Sequence, residues 1–553
     1  MSMAATFTQR LYCPPVLRPY QTEAIAAVLE ARRAGVRRML VCLPTGAGKT
    51  VIFSRLAQLA QRQVLVLAHR EELLFQAKEK LEQALGSQHV VAIERGADRA
   101  AADAKVLVCS IRSLHEERLA EVLRGRNLGL VVYDECHHAA ADDNLRVLRQ
   151  LGAFEANWTG TLLGFTATTA RGDGVGLDTV FERIVYSRSL PDLIADGYLS
   201  KLRGFRVTTS ADLTRLSSTG LDFREEELAE AVDIEERNAL VARSIQELAR
   251  DRRTIAFCVT VNHARNLCQS LNLLGVPAGI VHGAMKPDVR AKALADFRAG
   301  VVQVLCNVAV LTEGFDDPGV SCVAMARPTR SEGLYAQCVG RGTRLHPGKQ
   351  DCLILDFVDV SQLSLCSLPS LFGVPRELDL RGEDVSRARQ TWQQILLDHP
   401  GFELEAGSFT LPEIQQRAES FDPLTLETNS EVLAISANAW FSLGRHGLGL
   451  HFERRPGVSS EVTVLARTAR GKRWEVSIDG RVQERFSSIE AAVEAVDYEL
   501  SRRGREVAGS ARPEARWRET RAEALRLAVW QRVVGASARV EPKRQSRASG
   551  QSK

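Results

Sequence analysis

Seven consecutive residues, Pro44, Thr45, Gly46, Ala47, Gly48, Lys49 and Thr50, follow an apolar run and precede a helical stretch from Val51 to Ala60. Strand, glycine-bearing loop and helix in that order make an anion site. The glycines let backbone amides turn inward on phosphate oxygens, and the helix start adds its positive dipole end. Lys49 is placed to reach the β and γ phosphates of a nucleoside triphosphate, and the Thr50 hydroxyl to hold Mg²⁺. Downstream, the apolar run Leu130 to Tyr133 ends in Asp134, Glu135, Cys136, His137 and His138. A carboxylate at the end of a buried strand lies at the sheet edge where phosphates bind. There Asp134 can hold Mg²⁺ through its water shell, and Glu135 can orient and deprotonate an attacking water. Such a phosphoryl-transfer site still lacks positive charge on the outermost phosphate. Gln337, Gly340, Arg341, Gly342 and Arg344 supply a candidate source. Residues three apart on a helix share a face, so Arg341 and Arg344 are expected to point into one cleft. A cation delivered in this way contributes about 10³ to 10⁵ in rate.

These groups need a scaffold that brings strand ends to one edge. Short apolar runs alternate with helical stretches from residue 38 onward: Met39 to Leu43, Val64 to His69, Val106 to Ser110, Leu128 to Asp134 and Leu162 to Thr168. The rhythm returns in Thr254 to Val259, Gly279 to His282, Val302 to Asn307, Cys322 to Ala326 and Asp351 to Phe357. Continuous apolar strands separated by helices predict buried parallel sheets, here two α/β domains in tandem. The expected boundaries are a first domain over 1–204, a linker over 205–235 around Asp222, Phe223, Arg224 and Glu225, and a second domain over 236–372. An accessory α+β region over 373–510 follows. In it Leu448, Leu450 and Phe452 share one strand face, Val462 and Val464 another, and Trp474, Val476 and Ile478 a third. Ser487 with Glu490 reads as a capping box opening a helix with Ile489, Ala492, Val493, Val496 and Leu500 on one side. The segment 511–553 reads as a basic helix, with Trp517, Leu525 and Val529 on one face, and a disordered tail.

At 553 residues, with 45% hydrophobic and 25% charged residues, the chain is an ordinary globular protein of several domains. Its 72 Lys plus Arg against 68 Asp plus Glu give only +4, so any binding to phosphate backbones must come from local clusters. One cluster is terminal: residues 501–553 hold 14 Lys plus Arg against 5 Asp plus Glu, a surplus of 9. The 11 cysteines never form a CxxC pair and sit mostly in apolar runs, which reads as reduced packed thiols. No apolar stretch approaches the 18 or so residues of a membrane span, and no export signal opens the chain, so the expected compartment is the cytoplasm.

In order and spacing, these motifs resemble superfamily 2 helicases and translocases over about residues 15 to 360. The set comprises Arg18, Tyr20 and Gln21, then PTGAGKT at 44–50, AHREEL at 68–73, DECHH at 134–138, TATT at 166–169, LTEGFDDP at 311–318 and QCVGRGTR at 337–344. The resemblance implies two RecA-like domains, ATP and Mg²⁺ as cofactors, and catalytic roles for Lys49, Glu135, Arg341 and Arg344. It implies that Arg18 and Gln21 read adenine, and that Gly314 and Asp316 contact the sugar side. Thr166, Thr168, His137 and Gln337 would couple hydrolysis to domain motion, and Arg70, Ser110 and Thr312 would touch the nucleic-acid backbone. DECHH with QxxGRGxR looks most like the duplex-DNA branch that holds XPB, type III restriction motor subunits and small branch-migration helicases. Thr169 stands where most relatives carry proline. The expected activity is ATP-driven movement on duplex or forked DNA in repair or recombination. An RNA helicase, or an ATP-gated clamp that does not unwind, are the alternatives.

Overall fold

The apolar runs become strands with almost no exposed side chains: Val64, Leu65, Val66 and Leu67 are fully buried, as are Val106, Leu107 and Val108. Strands covered on both faces need helices on each side, and the chain supplies them. The computed structural model describes residues 16–512 and Ala515, apart from 70, 87–90, 96–98, 102, 168–175, 215, 217, 220–221, 313, 361–364, 399–401, 403, 405–406, 420–429, 444–446, 456–458, 468–472 and 479–480.

The first lobe is built on β1 (Arg38–Cys42), β2 (Gln63–Ala68), β3 (Val91–Glu94), β4 (Val106–Ser110), β5 (Leu128–Tyr133), β6 (Leu162–Thr166) and β7 (Arg183–Ser187). They form one parallel sheet in the order β3-β4-β2-β5-β6-β1-β7. Cys42 is level with Thr166, Leu67 with Tyr133, and Ala68 with Ser110. That register puts the phosphate loop, the acid pair and the strand ends at Ser110 and Thr166 on one edge. Helices α1 (Pro19–Arg33), α2 (Lys49–Leu59) and α3 (Glu71–Leu85) complete the parts used below.

The second lobe is a six-stranded parallel sheet in the order β12-β13-β11-β14-β15-β8. Its members are β8 (Lys201–Asp212), β11 (Thr254–Phe257), β12 (Ala278–His282), β13 (Val304–Val308), β14 (Cys322–Met325) and β15 (Asp351–Val360), with a hairpin of β9 (Ser218–Thr219) and β10 (Asp222–Phe223) between the first two. The linker expectation for 205–235 meets a different arrangement. β8 pairs with β15 from Lys201↔Asp351 to Phe205↔Leu355 and beyond, and a helix over Glu225–Val232 follows the hairpin. β8 is an edge strand with Arg203 and Arg206 along it, so its apolar face is too sparse to stand out in sequence. Phe223, Leu213, Leu228, Val232 and Val259 pack together and fix this segment to the lobe. Both lobes belong to one compact unit that extends through Arg387.

The second unit runs from Ala388. Its antiparallel sheet of five strands includes Leu448–Arg455, Ser459–Arg467, Trp474–Ile478 and Arg481–Phe486. Leu448, Leu450 and Phe452 are buried as their alternation required, against Ile489, Ala492, Val493, Val496 and Leu500 of the helix Ile489–Arg502. Trp474 packs at the margin of this core. The helix is capped by Ser488, whose hydroxyl accepts the Ala491 N–H at 3.2 Å, one residue after the expected Ser487. With serine at both positions, composition could not separate them. The Val462 and Val464 side chains and Trp517, Leu525 and Val529 lie outside the described residues.

Candidate functional site

After β1, Leu43 donates its N–H to the Thr166 carbonyl at 2.9 Å, which seats Thr166 beside the start of the phosphate loop. Gly46 and Gly48 have φ of +87° and +76°. A side chain on Gly48 would meet Gln21 Nε2 at 2.7 Å, and one on Gly46 would meet Thr343 Oγ1 at 2.9 Å. Backbone conformation and close neighbours thus both require glycine. Helix α1 braces the loop from outside. The Tyr20 hydroxyl donates to the Ala47 carbonyl at 2.6 Å, and Gln21 Nε2 donates to the same oxygen at 3.2 Å. Gln21 Oε1 accepts the Arg18 N–H at 3.0 Å, so both ends of the amide, expected at adenine, are engaged by protein. The Arg18 guanidinium donates to the Tyr198 carbonyl at 2.9 Å and lies over the Tyr198 ring. Tyr198 carried no sequence signal.

At the next strand ends, Asp134 donates its N–H to the Leu67 carbonyl at 3.0 Å. Glu135 follows with φ +51°, a left-handed conformation that is costly for a side-chain-bearing residue and marks a constrained position. Its carboxylate meets Lys49 Nζ at 2.7 Å, and its other oxygen lies 3.5 Å from His137 Nδ1. Burial works against the Glu135 charge, but the Lys49 ammonium and His137 outweigh it and hold the carboxyl well below the ordinary range. Burial likewise opposes the Lys49 charge, and Glu135 and Asp134 more than compensate, so its pKa is raised. Both groups are therefore ionised.

The second lobe meets this edge through the helix Glu332–Gly340, whose N-cap Ser331 accepts the Leu334 N–H at 3.3 Å. Gln337 is buried in it. The helix ends before the arginines: Arg341 is its C-cap, and Arg344 lies beyond in a turn. The shared helical face expected for the pair is thus replaced by a reversal of the chain. Both guanidinium groups donate to the Phe315 carbonyl, Arg341 at 2.8 Å and Arg344 at 3.2 Å. Arg344 also pairs with Asp316 at 2.9 Å, and Lys80 of α3 reaches the same carboxylate at 3.1 Å. Burial raises the Asp316 pKa, but Arg344 and Lys80 bring it below its usual value. Gln76 donates to the Gly314 carbonyl. The turn lies against the phosphate loop. The Thr343 hydroxyl is 3.4 Å from the Thr45 carbonyl, and a side chain on Gly340 would strike Thr45 Cβ at 2.5 Å. Arg344 Cγ is 3.6 Å from where a Gly46 Cβ would stand. Arg341 is 4% exposed, so neither arginine faces outward.

The remaining expected residues divide. Ser110 and Thr312 are buried, and the Thr312 hydroxyl donates to the Ala309 carbonyl at 2.8 Å. Arg70 and Thr168 lie outside the described residues. His138 has a defined setting: its ring stacks on His69 with centroids 4.7 Å apart and lies 4.1 Å from His137, while Arg112 reaches His69 Nε2 at 2.9 Å. Adjacent histidines after an acid pair were the only hint of that stack.

The loop suits a triphosphate. The Thr45 hydroxyl oxygen is buried and without a hydrogen-bond partner among the described residues, and Gly46 and Gly48 on either side of Ala47 are both left-handed. Thr50 and Asp134 offer the hard oxygen donors that Mg²⁺ prefers. Among the described residues no group of three or more His, Cys, Asp or Glu side chains could hold a metal.

Residues 15–171 match the family described as type III restriction enzyme, res subunit, and residues 236–346 match the helicase conserved C-terminal domain. The chain is 34% identical over 438 residues to irc3 of Schizosaccharomyces pombe, named as a mitochondrial ATP-dependent helicase; the match covers 77% of this chain and 71% of that one. It belongs to the superfamily 2 helicases. IRC3 of Saccharomyces cerevisiae, named as an ATP-dependent helicase, is 33% identical over 392 residues, covering 68% of this chain and 56% of its own. The DNA 3'-5' translocase XPB2 of Sulfurisphaera tokodaii is 25% identical over 382 residues, 62% of this chain and 81% of that one. The helicase therefore sits in the branch its motifs resembled, with two RecA-like parallel-sheet lobes and a nucleic-acid-dependent ATPase activity. No helix among the described residues of this helicase is long and apolar enough to cross a membrane.

Proposed function

We propose that this helicase couples ATP hydrolysis to sequence-independent movement along duplex or forked DNA, in repair or recombination. The supporting observation is the closed seam, with Thr343 and Arg344 of one lobe against Thr45 and Gly46 of the other. The Lys49 ammonium exchanges its partner, leaving Glu135 for the β and γ phosphates. Relieved of that ammonium, the Glu135 carboxylate becomes more basic and takes the proton of a water whose oxygen attacks the γ phosphorus. The bond to the β-γ bridging oxygen breaks as the new one forms. Arg344, released from Asp316, stabilises the charge on the transferred group, with Arg341 beside it. Thr50 and Asp134 would hold Mg²⁺, which when bound would neutralise charge on the phosphates. Arg18 and Gln21 lie on the adenine side, and Gly314 and Asp316 on the sugar side. Thr166, Thr168, His137 and Gln337 pass the state of the site between lobes, while Arg70, Ser110 and Thr312 mark the nucleic-acid rim.

Phosphate-backbone contacts position a protein without reading sequence, so affinity for duplex should fall steeply with salt, by about 0.9 in log–log slope per neutralised phosphate. The deciding measurement is ATPase activity against single-stranded DNA, duplex DNA, forked DNA and RNA, with Lys49→Ala and Glu135→Gln as inactive controls. Stimulation by duplex and forked DNA is expected. Stimulation by RNA alone would make the protein an RNA helicase, and nucleotide-dependent binding without strand or triplex displacement would make it a clamp. Placement in the cytoplasm belongs to the same proposal, and fractionation of the tagged chain tests it against the mitochondrial designation of the Schizosaccharomyces pombe relative.

A further inference from the structure

The hairpin that follows β8 in the second lobe reaches the loop that feeds the helix ahead of the arginine turn. Phe223 is buried in the cluster with Leu213, Leu228, Val232 and Val259, and this anchors the neighbouring Asp222 of β10. From there a single carboxylate engages three consecutive features of the loop after β14. Asp222 Oδ2 accepts the Thr329 hydroxyl at 2.8 Å and stands 3.5 Å from the Arg327 guanidinium, while Oδ1 accepts the Arg330 N–H at 3.0 Å. The Thr329 oxygen in turn accepts the N–H of Ser331 at 3.0 Å, and Ser331 is the N-cap of the helix Glu332–Gly340. Further along, the Tyr335 hydroxyl donates to Asp356 at 2.7 Å. The helix is thus held at its start by Asp222 and in its middle by Asp356, and its far end carries Arg341 and the turn with Thr343 and Arg344.

We infer that Asp222 is a positioning residue for phosphoryl transfer, setting the start of the helix Glu332–Gly340 so that its other end delivers Arg344 to the phosphate loop. A helix transmits a displacement at one end to the other as a nearly rigid rod, whereas nothing in the first lobe's cradle depends on Asp222. The inference rests on the proposed role of Arg344.

The test is steady-state ATPase kinetics of the full chain with saturating nucleic acid, alongside equilibrium binding of ADP. Asp222→Ala is expected to lower kcat by roughly 10- to 100-fold, the order that an ångström of misplacement costs, with ADP affinity and ATP KM within about twofold. Asp222→Asn keeps one acceptor oxygen and should recover part of the loss. Retention of full kcat by Asp222→Ala, or a loss of ADP affinity in step with kcat, would overturn the inference. Should Asp222→Ala fail to fold by thermal melting, Thr329→Val carries the same test, since it removes the hydroxyl that donates to Asp222 but leaves the Arg330 amide contact. Arg344→Ala measured in parallel separates the two ideas. If it is fully active, the arginine reading fails. If it is inactive while the Asp222 and Thr329 variants are normal, only the positioning inference fails.

Discussion

The phosphate loop and the arginine turn face each other across one seam, but they are held in place by different kinds of contact. The loop is fixed from within its own lobe. Its glycines supply the turn, Leu43 is tied to Thr166, and Tyr20 and Gln21 brace Ala47 from α1. The turn is fixed from several distant segments: Phe315 and Asp316 hold its guanidinium groups, Ser200 donates its N–H to the Thr343 carbonyl at 2.7 Å, and Asp222 and Asp356 hold the helix before it. A cradle of local contacts is ready whenever the first lobe is folded. On the proposed role of Arg344, cations that depend on many segments would reach the phosphates only in one arrangement of the whole unit, and hydrolysis would then be conditional on a second event such as nucleic-acid binding.

The sharpest way to break this contrast is to remove charge from each side. Arg344→Ala should cost about 10³ in kcat or more while ADP binding is kept, as for other trans-acting arginines. If ADP binding falls equally, the turn is part of the cradle after all. Glu135→Gln should lose roughly 10²- to 10⁴-fold in kcat, the range of general base catalysis, again with nucleotide bound. Full activity in that variant would move the base elsewhere.

A smaller effect concerns Asp356, whose carboxyl is pushed up to about 6 by burial, against the lowering contributions of the Tyr335 and Leu368 hydrogen bonds. A carboxyl with a raised folded pKa contributes most at low pH, below its unfolded value near 4, and that contribution is lost as pH rises through about 6. The urea midpoint of the wild type relative to Asp356→Asn should therefore decline from pH 4 to pH 6.5 and flatten above. A flat or rising difference would refute the assignment. The least effect is expected at Lys80, 40% exposed at its side chain, whose bridge to Asp316 is screened by solvent. Lys80→Ala should shift stability by under about 1 kcal/mol, with the change erased by salt.

How much could be read beforehand follows the same division. The placement of Lys49, Asp134 and Glu135 at one sheet edge was legible because the loop and the acid pair each follow a strand whose apolar run is obvious. Tyr198 and Lys80 were not, since each meets a partner far away in the chain and has no distinguishing neighbours; His69 stood in the AHREEL motif, but its stack on His138 was not visible there. Asp222 was visible only as one charge in a segment that reads as a linker, because an edge strand with one half-polar face and a two-residue hairpin leave almost no periodic signal. Helical spacing predicted a shared face for Arg341 and Arg344, but the helix stops at Gly340, where the approach to Thr45 demands glycine, and the two guanidinium groups meet at the Phe315 carbonyl instead.

The early start of β8 bounds how the motor can move. Leu199 still belongs to the first lobe, donating its N–H to the Leu193 carbonyl at 3.2 Å, and Ser200 already donates its N–H to the Thr343 carbonyl at 2.7 Å, so the chain crosses between the lobes at the single peptide link from Leu199 to Ser200. Consecutive Cα atoms across a trans peptide stand about 3.8 Å apart. While those two hydrogen bonds hold, the lobes cannot separate at this point. Relative motion that keeps them must pivot there, through the backbone torsions of Leu199 and Ser200.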